Sequence, residues 1–239
     1  MRNTITLNGI ENTEIDGLLI QSLPPISKPL MRTEIEEIDG RDGDIITPLG
    51  FSAYDKEITI GLYGDFDIDD VIQYFTSEGT VTFSNEPDKY YNYQIINQID
   101  FERLLRYRTA TVTLHVQPFK YSTDETPKTI DVEALETTSA NITNSGNYFS
   151  RPQITLYGSG TVNLSLNGNQ IFVINMGTTA TNITIDTAAM EAYQGTTATL
   201  MNRSVDGDYN NFKLNIGKNT ISWSGSLTKI IINNYSRWI

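Results

Sequence analysis

The sequence predicts a mainly β protein of two domains: a first, β-sandwich-like domain with one short α-helix, and a second β-sandwich of jelly-roll or lectin type. Three observations carry this reading. Apolar and polar residues alternate over short runs through most of the chain, the period of a half-buried strand. One stretch alone, 67–79, carries a helix cap followed by helical spacing. Tyrosine is abundant, 13 against two tryptophans, which suits pleated positions whose hydroxyls stay wet. With 239 residues the chain is long enough to bury two cores.

The elements follow in order. Thr4 to Leu7 reads as a short strand, and the Pro24-Pro25 and Pro29 cluster punctuates a connection. Arg32 to Leu62 reads as a long hairpin-like excursion. Its tip is Gly40-Arg-Asp-Gly43, and Ile58, Ile60 and Leu62 alternate strictly on its return. The helix has an Asp67 cap, acids in its first turn, an apolar stripe of Ile68, Val71, Ile72 and Phe75, and Gly79 to close it. Val81 and Phe83 open a strand, Asn85 to Asp88 turns, and Tyr91 to Ile95 continues. Arg108 to Tyr121 is a strand with Val112, Leu114 and Val116 on one face, running into Pro118-Phe-Lys-Tyr121.

The first domain is set at residues 1–123 and the second at 124–239, with 124–143 as a polar linker. Beyond it, Val162, Leu164 and Leu166 lead to Asn167-Gly168 and then Ile171 to Ile174, a strong hairpin signal. Ile183 with Ile185, Phe212 to Ile216, Ile221 with Trp223, and Ile230 with Ile232 repeat the strand pattern. Asp186 to Tyr193 favours a helix by propensity, but it is short and ends in Gln194-Gly195, so no helix is expected there.

The charge is uneven. Residues 1–123 hold 10 basic and 20 acidic side chains, and 124–239 hold seven and nine. A surface this acidic is a poor nucleic-acid binder, because affinity for phosphates rests on Lys and Arg displacing counterions. Cysteine is absent, which removes disulfides, thiolate nucleophiles and Cys-based metal sites. No apolar run approaches the roughly 18 residues of a spanning helix, and MRNTITLNGIENTEIDG carries no apolar segment of signal-peptide length, so assembly in the cytoplasm of the producing cell and no membrane insertion are expected.

No cluster argues for catalysis, and no cofactor is expected. Asp65, Asp67 and Asp69 have the spacing that opens a calcium loop. Asp70 and Thr76, however, stand where such a loop needs glycine and a bidentate glutamate, so the acids read as a helix start. His115, the single histidine, falls on the polar face of its strand, where a solvated or interface role is expected. Gly158-Ser-Gly160 lacks the spacing and helix of a nucleophile elbow and reads as a tight hairpin turn. Tyr148, Phe149, Tyr157, Tyr209, Trp223, Tyr235 and Trp238 could stack sugars, but most read as core or subunit contacts. A carbohydrate-binding, lectin-like adhesion module is the alternative function.

Several segments, taken in order, resemble the distal tail (Dit) protein family of long-tailed, non-contractile bacteriophages. These are the excursion around Gly40-Arg-Asp-Gly43, Val81-Thr-Phe-Ser-Asn-Glu-Pro-Asp-Lys-Tyr90, Pro118 to Tyr121, Asn144-Ser-Gly-Asn147 with Ser150-Arg-Pro152, Gly158 to Gly160, Ile183 to Asp186, Gly207-Asp-Tyr209, Leu214 to Asn219 and Arg237-Trp238. The resemblance covers essentially the whole chain. It implies a ring-forming first domain, a galectin-like second domain, and a virion protein of the tail tip. It also implies a homo-hexamer, in one ring or two stacked rings, that joins the tail tube protein to the tail-associated tip protein and the receptor-binding protein. DNA would pass through the ring without being specifically bound. Ile38, Gly40, Arg41, Asp42 and Gly43 would lie in the belt that clasps the neighbouring subunit, and the chain has no room for the carbohydrate-binding insertion of some relatives.

Overall fold

The computed structural model describes residues 2–134, 137–179, 181–195 and 199–239. The chain divides into two compact units, the first reaching to Thr123 and the second spanning Asp124–Trp238.

In the first unit the strands are β1 (Ile5–Leu7), β2 (Ile10–Glu11), β3 (Leu18–Ser22), β4 (Met31–Glu37), β5 (Asp44–Phe51), β6 (Tyr54–Leu62), β7 (Glu78–Phe83), β8 (Lys89–Gln94) and β9 (Thr109–Ser122). Helix α1 (Ile68–Tyr74) precedes β7 and α2 (Phe101–Tyr107) precedes β9. An antiparallel sheet runs in the order β2-β1-β7-β8-β9-β6-β3, and β4 and β5 form a separate two-stranded ribbon. Alternation determines the core. Ile58 and Ile60 of β6, Val81 and Phe83 of β7, Tyr91 and Tyr93 of β8, and Val112, Leu114 and Val116 of β9 all point to one buried face, which the helices cover with Val71 and Leu104.

Two helices stand where one was expected. Asp67 caps α1 by accepting from the Asp69 amide, but the helix stops before Gly79, which lies inside β7 at φ 148°, its Cα against the Asn8 side chain. The apolar stripe is also shifted: Val71, Tyr74 and Phe75 are buried whereas Ile72 is exposed. The Tyr74 hydroxyl instead ties the helix to the sheet by donating to the Ile5 carbonyl at 3.0 Å. Helix α2 is capped by Asp100, which accepts from the Arg103 amide at 2.8 Å. It buries only Leu104 fully, which leaves too thin an apolar stripe to stand out in sequence. Strand β9 continues through Pro118. Tyr91 faces Lys120 and Tyr93 faces Val116, so Gln117 to Phe119 bulge opposite Asn92 and absorb the missing proline N–H.

The second unit contains β10 (Lys128–Asp131), β11 (Ser139–Asn144), β12 (Gln153–Leu166), β13 (Asn169–Asn175), β14 (Thr181–Asp186), β15 (Glu191–Tyr193), β16 (Val205–Gly207) and β17 (Gly217–Asn233). The stretch 124–143, expected as a linker, supplies two strands: β10 and β11 pair with opposite ends of β17, and Ile130 and Ile142 enter the core. Polar flanks hide these two buried apolar positions from a compositional reading. Strands β12 and β17 pair along both halves of the unit. Their first arrangement, β10-β17-β12-β14-β15, gives way to a second, β11-β17-β12-β13-β16, around one core. The Asn167-Gly168 hairpin forms as expected, with both residues at positive φ. Phe212 and Leu214 are buried, but they lie outside the named strands; Leu214 forms a single bridge to Ser150. Asp186 to Tyr193 forms no helix, as expected; it is a turn followed by a strand.

Gly158 to Gly160 is a bend inside β12, where a hairpin turn was expected. The register with β17 shifts at Tyr157/Gly158 and again after Ser159, so the strand turns a corner between the two arrangements. A Cβ on Gly158 would lie 2.2 Å from the Ser226 carbonyl oxygen, and one on Gly225 would lie 2.4 Å from that of Thr161. Gly225 also sits at φ 103°, which L side chains rarely adopt. Gly225→Ala is therefore expected to destabilise the second unit by about 1–3 kcal/mol. Both tryptophans, Trp223 and Trp238, belong to this unit, so denaturant unfolding followed by tryptophan fluorescence measures it; an unchanged midpoint would show that the corner is unconstrained.

Candidate assembly interface

Among the described residues the β4–β5 ribbon stands out as a two-stranded element that folds over no core. Every residue of β4 is exposed, and in β5 only Ile45 and Phe51 are half-buried. Its register pairs Met31 with Phe51, Thr33 with Pro48 and Ile35 with Ile46 on one face, and Arg32 with Gly50, Glu34 with Thr47 and Glu36 with Ile45 on the other. Paired residues share a face. The first face is largely apolar, with Ile35 58% and Ile46 61% exposed, and ends beside the tip in the Glu37–Asp44 pair; the second carries Arg32, Glu34 and Glu36 beside Ile45. The tip holds Ile38, Gly40, Arg41, Asp42 and Gly43, all exposed. Gly40 and Gly43 take positive φ, and the Arg41 amide donates to the Ile38 carbonyl at 3.1 Å.

Such a ribbon needs a firm root, and the first unit supplies one. The Pro24 carbonyl accepts from Asn85 Nδ2 and the Pro25 carbonyl from Lys56 Nζ, each at 3.0 Å. On the return strand the Phe51 ring meets Phe119 edge-on, centroids 5.8 Å apart, and the Ser52 amide donates to the Leu30 carbonyl at 2.9 Å. Lys56 is only 3% exposed. Its ammonium lies 5.5, 5.6 and 4.9 Å from the ring centroids of Tyr54, Phe83 and Tyr91. Burial holds this ammonium below the ordinary lysine range, with Glu86 opposing the shift and Lys120 adding to it. Glu86 pairs with Lys120 and accepts from the Tyr91 hydroxyl at 2.6 Å. Burial, then the bond to Glu86, pushes the Tyr91 phenol far up; burial likewise raises Tyr54. Sequence reasoning missed Lys56. The signal was its phase, since it lies on the same face of β6 as Ile58, Ile60 and Leu62.

The other residues singled out in the sequence do not gather into a reactive site. His115 Nδ1 lies 2.7 Å from Asp55 Oδ1 on the exposed face of the β6–β9 pair. Among the described residues no group of three or more His, Cys, Asp or Glu is placed to hold a metal ion, and no helix is long and apolar enough to cross a membrane. The aromatic rings weighed as a sugar platform occupy separate settings. Trp223 is in the core, and Tyr209 packs edge-on against Phe172. Lys229 covers Tyr157 at 4.2 Å, and Arg237 covers Tyr148 and Phe149 at 5.3 and 4.6 Å.

Fold and ribbon together define a mainly β, two-unit architecture with an exposed hairpin. Solved structures of phage hub and baseplate proteins have a similar fold. The Dit protein of phage SPP1, described as a paradigm of the hub adsorption apparatus in phages that infect Gram-positive bacteria, matches with a TM-score of 0.66 at 17% identity, covering 97% of this chain and 98% of that one. A chain of the phage p2 baseplate in its activated conformation, solved with strontium and with calcium, matches with a TM-score of 0.51 at 12% identity over 97% of each chain. At these identities the likeness is one of fold. No family model and no curated protein sequence matches the chain.

The root sets a pH dependence. Phenols with raised pKa favour the folded state fully below about pH 10, their ordinary value, and withdraw that support as pH rises through it. A lysine with a lowered pKa acts the other way below about pH 10.4, since stability then rises with pH. Stability of the first unit is therefore expected to climb gently toward pH 10 and fall steeply above it, and Tyr91→Phe should make the alkaline fall shallower. Thermal unfolding across roughly pH 8 to 11 checks this; a Tyr91→Phe profile parallel to wild type would contradict it.

Proposed function

We propose that the protein is a non-enzymatic structural hub of the tail tip of a long-tailed bacteriophage. It closes a hexameric ring, single or stacked in pairs, between the tail tube and the tip and receptor-binding proteins, and it resides in the virion. The observation that carries this reading is the ribbon. Twenty-one residues, 31–51, form an antiparallel pair with one register shift, between Arg32 and Thr33, that buries almost none of its side chains, and an isolated two-stranded hairpin is at best marginal in water. Its apolar face is dressed for a surface that one copy of the chain does not supply. A head-to-tail contact in which each ribbon clasps the next copy closes by rotation into a ring, and the tail-tip structures that share the fold support that setting.

The acidity fits the same reading. With 20 acidic against 10 basic side chains in residues 1–123, a channel built from first units repels phosphates and lets DNA move without sticking. The covered rings of the second unit favour this hub over a lectin-like module.

Light scattering with negative-stain imaging over a concentration series is expected to give a hexamer or a pair of hexamers with a central hole. Replacing 31–51 by a short Gly-Ser bridge is expected to give a folded monomer. A wild-type chain that stays monomeric at the highest concentration, or a bridged variant that still forms the ring, would overturn the reading.

A further inference from the structure

We propose that the Glu34–Glu36 face of the ribbon docks on helix α2 of a neighbouring copy, where Glu34 and Glu36 meet Arg103 and Arg106. This rests on the ring reading above and names the surface that receives the belt.

The charges of the first unit leave few other matches. Residues 31–51 carry six carboxylates, Glu34, Glu36, Glu37, Asp39, Asp42 and Asp44, against Arg32 and Arg41. None of the six takes part in an ion pair among the described residues. Such a ribbon repels itself until it meets a basic surface. Of the ten basic side chains in residues 1–123, Lys56 is buried in its aromatic box, Lys89 pairs with Asp88 and Lys120 with Glu86. Arg32 and Arg41 belong to the ribbon itself, Lys28 stands at its root, and the Arg108 guanidinium lies over the Phe66 ring at 4.7 Å. Apart from Arg2 at the chain start, the remaining cations are Arg103 and Arg106. Both are exposed, and neither is in an ion pair among the described residues; the Arg106 guanidinium rests 5.5 Å from the Tyr107 ring centroid on the same helix face.

The spacing fits as well as the sign. Arg103, Arg106 and Tyr107 stand at i, i+3 and i+4 and so share one face of α2. With Asp100 and Glu102 they line an open cavity of about 470 Å³, and Tyr107 is 62% exposed. Glu34 and Glu36 are two residues apart on one strand face, roughly 6.6–6.8 Å. The arginines are about 5–6 Å apart at Cβ, so two forked guanidinium–carboxylate pairs can form side by side. Ile45, the cross-strand partner of Glu36, then faces the Tyr107 ring and gives the polar pairs an apolar centre.

The chain has no cysteine, so an introduced pair is its only pair of thiols. In the Glu36→Cys, Arg106→Cys variant, mild oxidation is expected to link copies into a ladder ending at the hexamer on a denaturing gel. A particle that assembles but does not cross-link overturns the inference while leaving the ring reading in place. Should the cysteine variant fail to assemble, charge reversal decides. R103E/R106E is expected to raise the concentration of half-assembly more than roughly tenfold, and E34R/E36R in the same chain is expected to restore it. Reversal without effect, or a loss that the swap does not restore, overturns the docking surface. A wild-type chain that forms no ring at all sinks both readings.

Discussion

A hairpin without a core has to borrow one. That constraint organises the first unit, because the entropy of ordering each residue of the ribbon is of order 1–2 kcal/mol and two strands alone offset little of it. Within one copy the answer is a stiff root. Lys56 holds the Pro25 carbonyl, Asn85 holds that of Pro24, and Phe51 locks onto Phe119. Burying an ammonium is costly. Three aromatic faces and a carbonyl offset the cost, with Glu86 helping and Lys120 working against it. The root thus fixes where the ribbon leaves the sheet, while its two faces stay open to another molecule.

The second unit meets a different constraint, that of folding two sheets from a few long strands. Strands β12 and β17, 14 and 17 residues long, pass through both arrangements and bend together at Gly158, Gly160 and Gly225. No other residue type permits that approach of backbone to backbone at Gly158 and Gly225. Tyr148, Phe149 and Tyr157 of this unit lie under lysine and arginine cations. This closes their faces to stacking ligands and suits a packing role.

Much of this was legible in the sequence. Alternation located β6, β7, β9, β12 and β17 because their buried faces are mostly apolar, and Asn167-Gly168 announced its turn because few residue pairs tolerate two positive φ values. The tip of the excursion was marked by Gly40 and Gly43. What stayed hidden depended on tertiary partners. Helix α2 buries one side chain fully, β10 and β11 are strands only because β17 pairs with them, and Gly158 to Gly160 bends only because β17 bends beside it. The exposure of the ribbon was likewise unreadable, since Ile35 and Ile46 alternate like any buried strand residues and only the absence of an opposing layer sets them apart.

The central claim is that the ribbon is completed by another copy of the chain. Amide hydrogen exchange of Met31–Phe51, compared between the assembled particle and monomer released by dilution, tests it most directly. The account predicts that these amides exchange fast in the monomer and become strongly protected in the particle, while β6 and β9 change little. Equal exchange of the ribbon in both states would contradict it.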